Sequence, residues 1–217
     1  MIPKQLTMVT VTGLTPLTKT LSFPWALRGP LFSLPVMVGL FFGSFNPPHR
    51  GHTELAINIL DSHPEISEIW FIVKKFDNCS VSFSDRLEMT KLACQVDPRL
   101  IACDIDKSYG SNSIIDTSKS IKEDWPNTEF ALIIGEDLLI LDRSYFGSEN
   151  IIIYPRDSIY CSNILRYYLK DYTKIEDLPK INISSQEIRL GFKKDFLDEK
   201  VLNYINLMNL YSPSCNN

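Results

Sequence analysis

From residue 37 onward, apolar positions along this chain fall into two alternating rhythms. Short unbroken runs recur at 37–42, 69–73, 100–103, 130–134 and 151–154. Runs this short, rich in Ile, Val, Phe and Leu, predict strands buried on both faces. Between them the spacing lengthens to that of a helix. Residues 50–60 put Leu55, Ala56, Ile59 and Leu60 on one face. Residues 83–94 follow Ser82-x-x-Asp85, a capping-box pattern. Further helices are expected at 113–122, 158–169, 184–190 and 195–207. Repeated strand–helix units imply an α/β domain, its mostly parallel sheet covered by helices on both faces. No internal repeat or second domain is evident.

The first 36 residues break this rhythm. They are rich in Thr and Pro, with Lys4, Lys19 and Arg28 as their charges, and no acid precedes Glu54. Three readings stand open: a disordered tail translated from a start ahead of Met37, an organelle transit peptide, or a secretory signal. The first fits best. Transit peptides are usually richer in Arg, and the parts of a secretory signal do not line up. The expected boundaries are an extension over 1–36, a domain over 37–211 and a tail over 212–217.

A chain of 217 residues, 44% hydrophobic and 22% charged, suits one soluble domain with a sizeable core. The net charge of -4 argues against broad nucleic-acid binding, which needs a basic surface. It leaves room for a small anion held by local cations and a helix end. The five cysteines, Cys79, Cys94, Cys103, Cys161 and Cys215, show no C-x-x-C spacing. They read as free thiols in a reducing, cytoplasmic setting. The longest apolar stretch, 31–42, is broken by Ser33, Pro35 and Gly39, so no membrane span is expected.

Chemistry concentrates in Gly43-Ser44-Phe45-Asn46-Pro47-Pro48-His49-Arg50-Gly51-His52, between the first strand and the first helix. Ligands of open parallel sheets bind beyond the carboxyl ends of the strands, which is where this loop lies. Gly43 permits a sharp exit from the strand and close approach of a ligand. Pro47 and Pro48 stiffen the loop. His49 and His52, three apart at a helix start, project from one face beside free N–H groups and a positive dipole end. Imidazoles there can donate to phosphoryl oxygens. Gly51 keeps the surface open to a bulky triphosphate.

This stretch resembles the G-[ST]-F-[ND]-P-x-H-x-G-H signature of the HxGH nucleotidyltransferases. Its Ser-Phe-Asn-Pro form is similar to the bacterial-type nicotinate-nucleotide adenylyltransferases. Two further elements share the resemblance: Ile183-Ser184-Ser185-Gln186-Glu187-Ile188-Arg189, like the family's I-S-[ST]-x-x-I-R, and Ile133-Ile134-Gly135-Glu136-Asp137, like its I-[IM]-G-x-D. Ser184-x-x-Glu187 is also an ordinary capping box, which leaves Arg189 unaccounted for. Arg86-Leu87-Glu88-Met89, Asp116-Thr117 and Tyr154-Pro155-Arg156 match other segments. Val201-x-x-Tyr204-Ile205 with Leu210-Tyr211 matches the terminal helix and reads as core packing.

The resemblance implies a Rossmann-like nucleotidyltransferase fold and transfer of the adenylyl group of ATP to nicotinate mononucleotide, with Mg2+ accompanying ATP. His49 and His52 would be catalytic. Gly43, Ser44, Phe45, Gly51, Gly135, Asp137, Arg156, Ser184, Ser185 and Arg189 would join them around ATP. Asn46, Asp116, Thr117 and Tyr145 would face the mononucleotide. No resident metal site, nucleic acid or membrane partner is implied, and a homo-oligomer fits the family. Departures cluster on the acceptor side. Tyr145 stands where the family has Trp, Arg143 where it has Pro or His, and Ser113-Ile114 where it has Tyr-Thr. Lys74-Lys75-Phe76-Asp77-Asn78 replaces a Pro-Pro-His-Lys-like loop; Lys74 or Lys75 is a candidate for the lost cation, but a solvated loop lysine is the better reading of each. Alternatives are nicotinamide mononucleotide or phosphopantetheine as acceptor, or a non-catalytic nucleotide-binding module.

Overall fold

The chain is described by a computed structural model covering residues 37–75, 79, 81–104, 113–135, 150–154, 173–174 and 183–211. The extension at 1–36, the tail at 212–217 and the helix expected at 158–169 lie outside the described residues. The strands are β1 (Met37–Gly43), β2 (Ile66–Val73), β3 (Leu100–Cys103), β4 (Glu129–Gly135), β5 (Ile151–Tyr154) and β6 (Thr173–Lys174). They form one sheet in the order β3-β2-β1-β4-β5-β6, and every adjacent pair is parallel. The α/β expectation therefore holds, with a sheet wholly parallel among the described strands.

The sheet's pleat sorts its apolar residues onto two faces. Phe41, Ile69, Phe71, Ala131 and Ile133 share a cluster with Leu55, Ala56, Ile59 and Leu60 of α1 (Arg50–Ser62). That is the helix face expected from the spacing. On the other face, Trp70 packs edge-on against Phe130 and Trp125, with ring centroids 5.7 and 5.4 Å apart. Trp125 closes α3 (Ile114–Asp124), which starts on Ser113 as its cap. A smaller cluster joins α2 (Phe83–Cys94), the short α4 (Ser185–Arg189) and α5 (Glu199–Leu207) through Met89, Ala93, Ile188, Leu197, Val201 and Ile205.

Three elements differ from expectation by more than a residue or two at an end, each for a local reason. β2 begins at Ile66 because Ile66 and Glu68 pair with Met37 and Val38 of β1 while Ser67 is taken up in a bulge between them, and Glu68 accepts a bond from Trp70 Nε1 at 2.8 Å. β6 is a two-residue edge strand, too short to show a period. The single helix expected over 195–207 is a 3-10 turn, Lys194–Phe196, followed by α5. Leu197 is extended and buried, and Asp198 starts a new helix by accepting from the Lys200 N–H. The three described cysteines, Cys79, Cys94 and Cys103, are free thiols. Burial pushes the Cys94 thiol up to about 12. No described helix is long and apolar enough to cross a membrane.

In sequence order β1 leads outward to β2 and β3 on one side, while β4, β5 and β6 extend on the other. The winding reverses between β1 and β4. The crevice beyond their carboxyl ends is where such sheets bind nucleotides. The loop after β1 opens into it.

Arg99 fastens the distal end of α1 to the entrance of β3. Its guanidinium donates to Asp61 at 2.9 Å and Asp97 at 2.7 Å. The Arg99 side-chain hydrogen bond holds the Asp97 carboxyl below its ordinary range. A lowered carboxyl pKa adds stability above the ordinary value of about 4 and loses it as pH falls through the lowered one. Asp97→Asn is expected to lower the urea midpoint at neutral pH. Its deficit against wild type should shrink on acidification below about pH 4; a pH-independent deficit would refute the linkage.

Candidate active site

Beyond Gly43 the chain turns back through Phe45, whose φ is +45°. The Phe45 ring folds inward, 1% exposed, edge-on to Phe41 at 5.6 Å and tilted against Phe71 at 5.2 Å. A Cβ on residue 43 would lie 2.8 Å from Phe45 Cζ. Gly43 is therefore required by the ring that closes over it, and the Phe45 ring belongs to the core. The Asn46–Pro47 peptide is cis. Asn46 and His49 are each 6% exposed.

The loop is buried but follows no regular pattern, so its carbonyls need partners from elsewhere. Each partner is specific. Gly43 O accepts from the Lys74 N–H at 2.9 Å. Ser44 O accepts from Arg86 Nη1 at 2.7 Å, and the same nitrogen donates to Lys74 O at 2.8 Å. Asn46 O accepts from Arg189 Nη1 at 2.6 Å, and Pro47 O from Ser185 Oγ at 2.8 Å. Arg86, 1% exposed on α2, thus spends both Nη1 protons joining the ends of β1 and β2. Asn46 Oδ1 accepts from the Tyr211 hydroxyl at 2.5 Å.

His49 is the N-cap of α1, in extended conformation, and His52 is the third helical residue. Their rings stack at 3.8 Å between centroids, tilted by 31°. The pair expected from the spacing is thus formed. The His49 N–H donates to His52 Nδ1 at 3.2 Å. With Nδ1 accepting, the neutral His52 ring carries its proton on Nε2. Phe45 meets the His52 ring edge-on at 5.2 Å, which fixes the ring plane. No acidic residue sits in the first turn of α1, so nothing there offsets its positive end.

The second element is built as the capping box suggested. The Glu187 N–H donates to Ser184 Oγ at 3.2 Å, and the Ser184 N–H donates to Glu187 Oε2 at 3.0 Å. Lys193 pairs with Glu187 at 2.9 Å, and that contact holds the Glu187 carboxyl below its ordinary range. Arg189 and Ser185, which capping left unexplained, reach across to the first loop. One bond set therefore unites both motifs.

Gly135 ends β4, buried and paired with Tyr154 of β5. Asp116 is exposed near the start of α3, while Thr117 is 0% exposed with its Oγ1 donating to Ser113 O at 2.9 Å. The Thr117 hydroxyl is thus committed to its own helix. Gly51 and Ser44 are half-buried at the loop. Asp137, Arg143, Tyr145 and Arg156 lie outside the described residues. The reading of Lys74 as a solvated loop lysine is corrected. Lys74 is 2% exposed, because its backbone is pinned on one side to Gly43 O and on the other to Arg86. Lys75 is exposed, as expected. Sequence reasoning gave Arg86 and Tyr211 no site role, since a buried arginine and a terminal tyrosine carry no local signal of a contact so distant in sequence.

Comparison with known proteins places this geometry. The cytidylyltransferase-like family model matches residues 40–191. A "Probable nicotinate-nucleotide adenylyltransferase" of Christiangramia forsetii is 35% identical over 193 residues, covering 80% of this chain and 97% of its own length. The chain belongs to the nicotinate-nucleotide adenylyltransferases, within the cytidylyltransferase-like family. A Flavobacterium johnsoniae protein with the same description is 32% identical, covering 80% of this chain and 98% of its own. In fold, the family member from Plasmodium falciparum, solved with NaAD, superposes with a TM-score of 0.66. It is 24% identical and covers 81% of this chain and 97% of its own. The Rossmann-like nucleotidyltransferase fold is thereby established.

If Gly43 exists for the Phe45 ring, Gly43→Ala overpacks the loop and costs ~1–3 kcal/mol. Thermal unfolding should show the loss, and the added substitution Phe45→Leu should recover part of it. No recovery would mean that the ring is not the cause.

Proposed function

We propose that this chain transfers the adenylyl group of ATP to nicotinate mononucleotide, forming deamido-NAD and pyrophosphate in NAD biosynthesis. The observation that carries the reading is the stacked His49–His52 pair at a helix N-terminus whose first turn holds no acidic residue, at the point where the sheet's winding reverses. Relatives described as nicotinate-nucleotide adenylyltransferases along nearly their whole length support it.

An oxygen of the mononucleotide 5′-phosphate attacks the α-phosphorus of ATP in line. The bond from that phosphorus to the bridging β-oxygen breaks, and pyrophosphate leaves. The attacking phosphate is already ionised at neutral pH, so no strong base is needed. Catalysis is positioning and charge stabilisation. His52, its proton on Nε2, donates to the triphosphate, with His49 and the first N–H groups of α1 beside it. Gly43, Ser44, Phe45 and Gly51 shape the loop backbone around the nucleotide. Ser184, Ser185 and Arg189 close the phosphates from the other motif. Arg189 has five N–H donors and spends one on Asn46 O, so the others remain for phosphate. Gly135, Asp137 and Arg156 take the adenylate side. Asn46, Asp116 and Tyr145 take the mononucleotide, with Tyr145 as the stacking face, while the buried Thr117 supports the helix that carries Asp116.

ATP is taken as its Mg2+ complex, the ion offsetting charge on the leaving pyrophosphate.

The test is pyrophosphate release from ATP with nicotinate mononucleotide, nicotinamide mononucleotide and phosphopantetheine compared side by side. Release fastest with nicotinate mononucleotide is expected, and preference for another acceptor overturns the assignment. His52→Ala should lose ~2.7–4 kcal/mol of transition-state stabilisation, read from kcat/KM. Near-normal turnover in that variant would remove the histidine pair from the mechanism.

A further inference from the structure

After α5 the chain turns through Asn209 and Tyr211, both left-handed, with φ of +52° and +59°. Non-glycine residues hold that conformation where surrounding contacts fix it. Tyr211 packs against the small cluster of α2, α4 and α5, and its hydroxyl reaches Asn46 Oδ1 in the first loop. Burial pushes the phenol well above its usual range, so the hydroxyl keeps its proton.

The two ends of an asparagine amide are chemically opposite, an acceptor and a double donor. At Asn46 the backbone carbonyl is taken by Arg189 and Oδ1 by Tyr211. The side-chain bond thus engages Oδ1 and leaves the Nδ2 protons to donate. We propose that Tyr211 is a positioning residue for the acceptor substrate: its hydroxyl orients the Asn46 amide so that Nδ2–H is offered to an oxygen of the mononucleotide. This rests on the reading above in which Asn46 faces the mononucleotide. Without the hydroxyl the amide is free to turn over and present its oxygen to an anionic substrate. Binding then weakens on the acceptor side and not on the ATP side.

Tyr211→Phe keeps the ring and removes the hydroxyl. In steady-state assays with each substrate varied, KM for nicotinate mononucleotide should rise about fivefold, the order of one neutral hydrogen bond. KM for ATP and the thermal midpoint should stay close to wild type. Asn46→Asp, which keeps the acceptor for Tyr211 but removes the donor, should raise the same KM. Adding Tyr211→Phe to Asn46→Ala should change nothing further, within about twofold, because the first acts through the second. An unchanged mononucleotide KM in Tyr211→Phe overturns the proposal. So does a rise in both KM values together with a lower thermal midpoint, which marks a merely structural role, and so does a double variant whose losses multiply. A wild-type protein that releases no pyrophosphate sinks the functional reading and this inference with it. An active wild type with an unaffected Tyr211→Phe sinks this inference alone.

Discussion

Everything at the site depends on one constraint: a buried loop with no regular hydrogen-bond ladder must still satisfy its carbonyls. Leaving a buried polar group unbonded costs ~1–3 kcal/mol, so four such groups would consume much of a domain's stability. This protein answers with Lys74 N–H, Arg86, Ser185 and Arg189, one for each of Gly43, Ser44, Pro47 and Asn46. The histidines occupy their positions because the loop before them has a single low-energy path. Catalytic geometry here follows from backbone bookkeeping.

The same solution shapes the electrostatics. On a chain of net charge -4, two of the groups chosen to satisfy carbonyls are guanidiniums. A neutral donor could have closed each hydrogen bond. Arginines also bring positive charge to the crevice at the winding reversal, where a low-dielectric wall strengthens their field. Loop support and positive charge thus come from the same side chains, and neither can be changed without the other.

Much of this was legible in the sequence because the signals were local. Apolar runs gave the first five strands, and the spacing of Leu55, Ala56, Ile59 and Leu60 gave the buried face of α1. Ser82, Ser113 and Ser184 marked helix starts that the structure keeps. The ten residues from Gly43 to His52 marked the loop that opens at the winding reversal. What stayed hidden was set by tertiary contact. Polar Ser67 and Glu68 concealed the first three residues of β2, since pairing of Ile66 and Glu68 with β1 overrode that character. Leu197 and Asp198 broke a pattern that read as one continuous helix. Lys74 looked like a loop lysine because nothing nearby in sequence announces that Arg86 will bury its backbone. Gly43 looked like room for a ligand, and the ring that fills the space is two residues away in the chain but reaches it only after a left-handed turn.

The bonds that set the first loop also impose an order of events on a growing chain. They span 42, 138, 143 and 165 residues. Contacts of such separation carry the largest loop-closure entropy and form late. β1, α1 and β2 can pack as soon as they leave the ribosome, because their contacts are short-range. The loop between β1 and α1, translated among the earliest parts of the domain, gains its last restraint only when residue 211 arrives. Until then a nascent chain holds much of its sheet but has no fixed place for the histidine pair. The setting of the histidine pair is thus held open until the far end of the domain has been made.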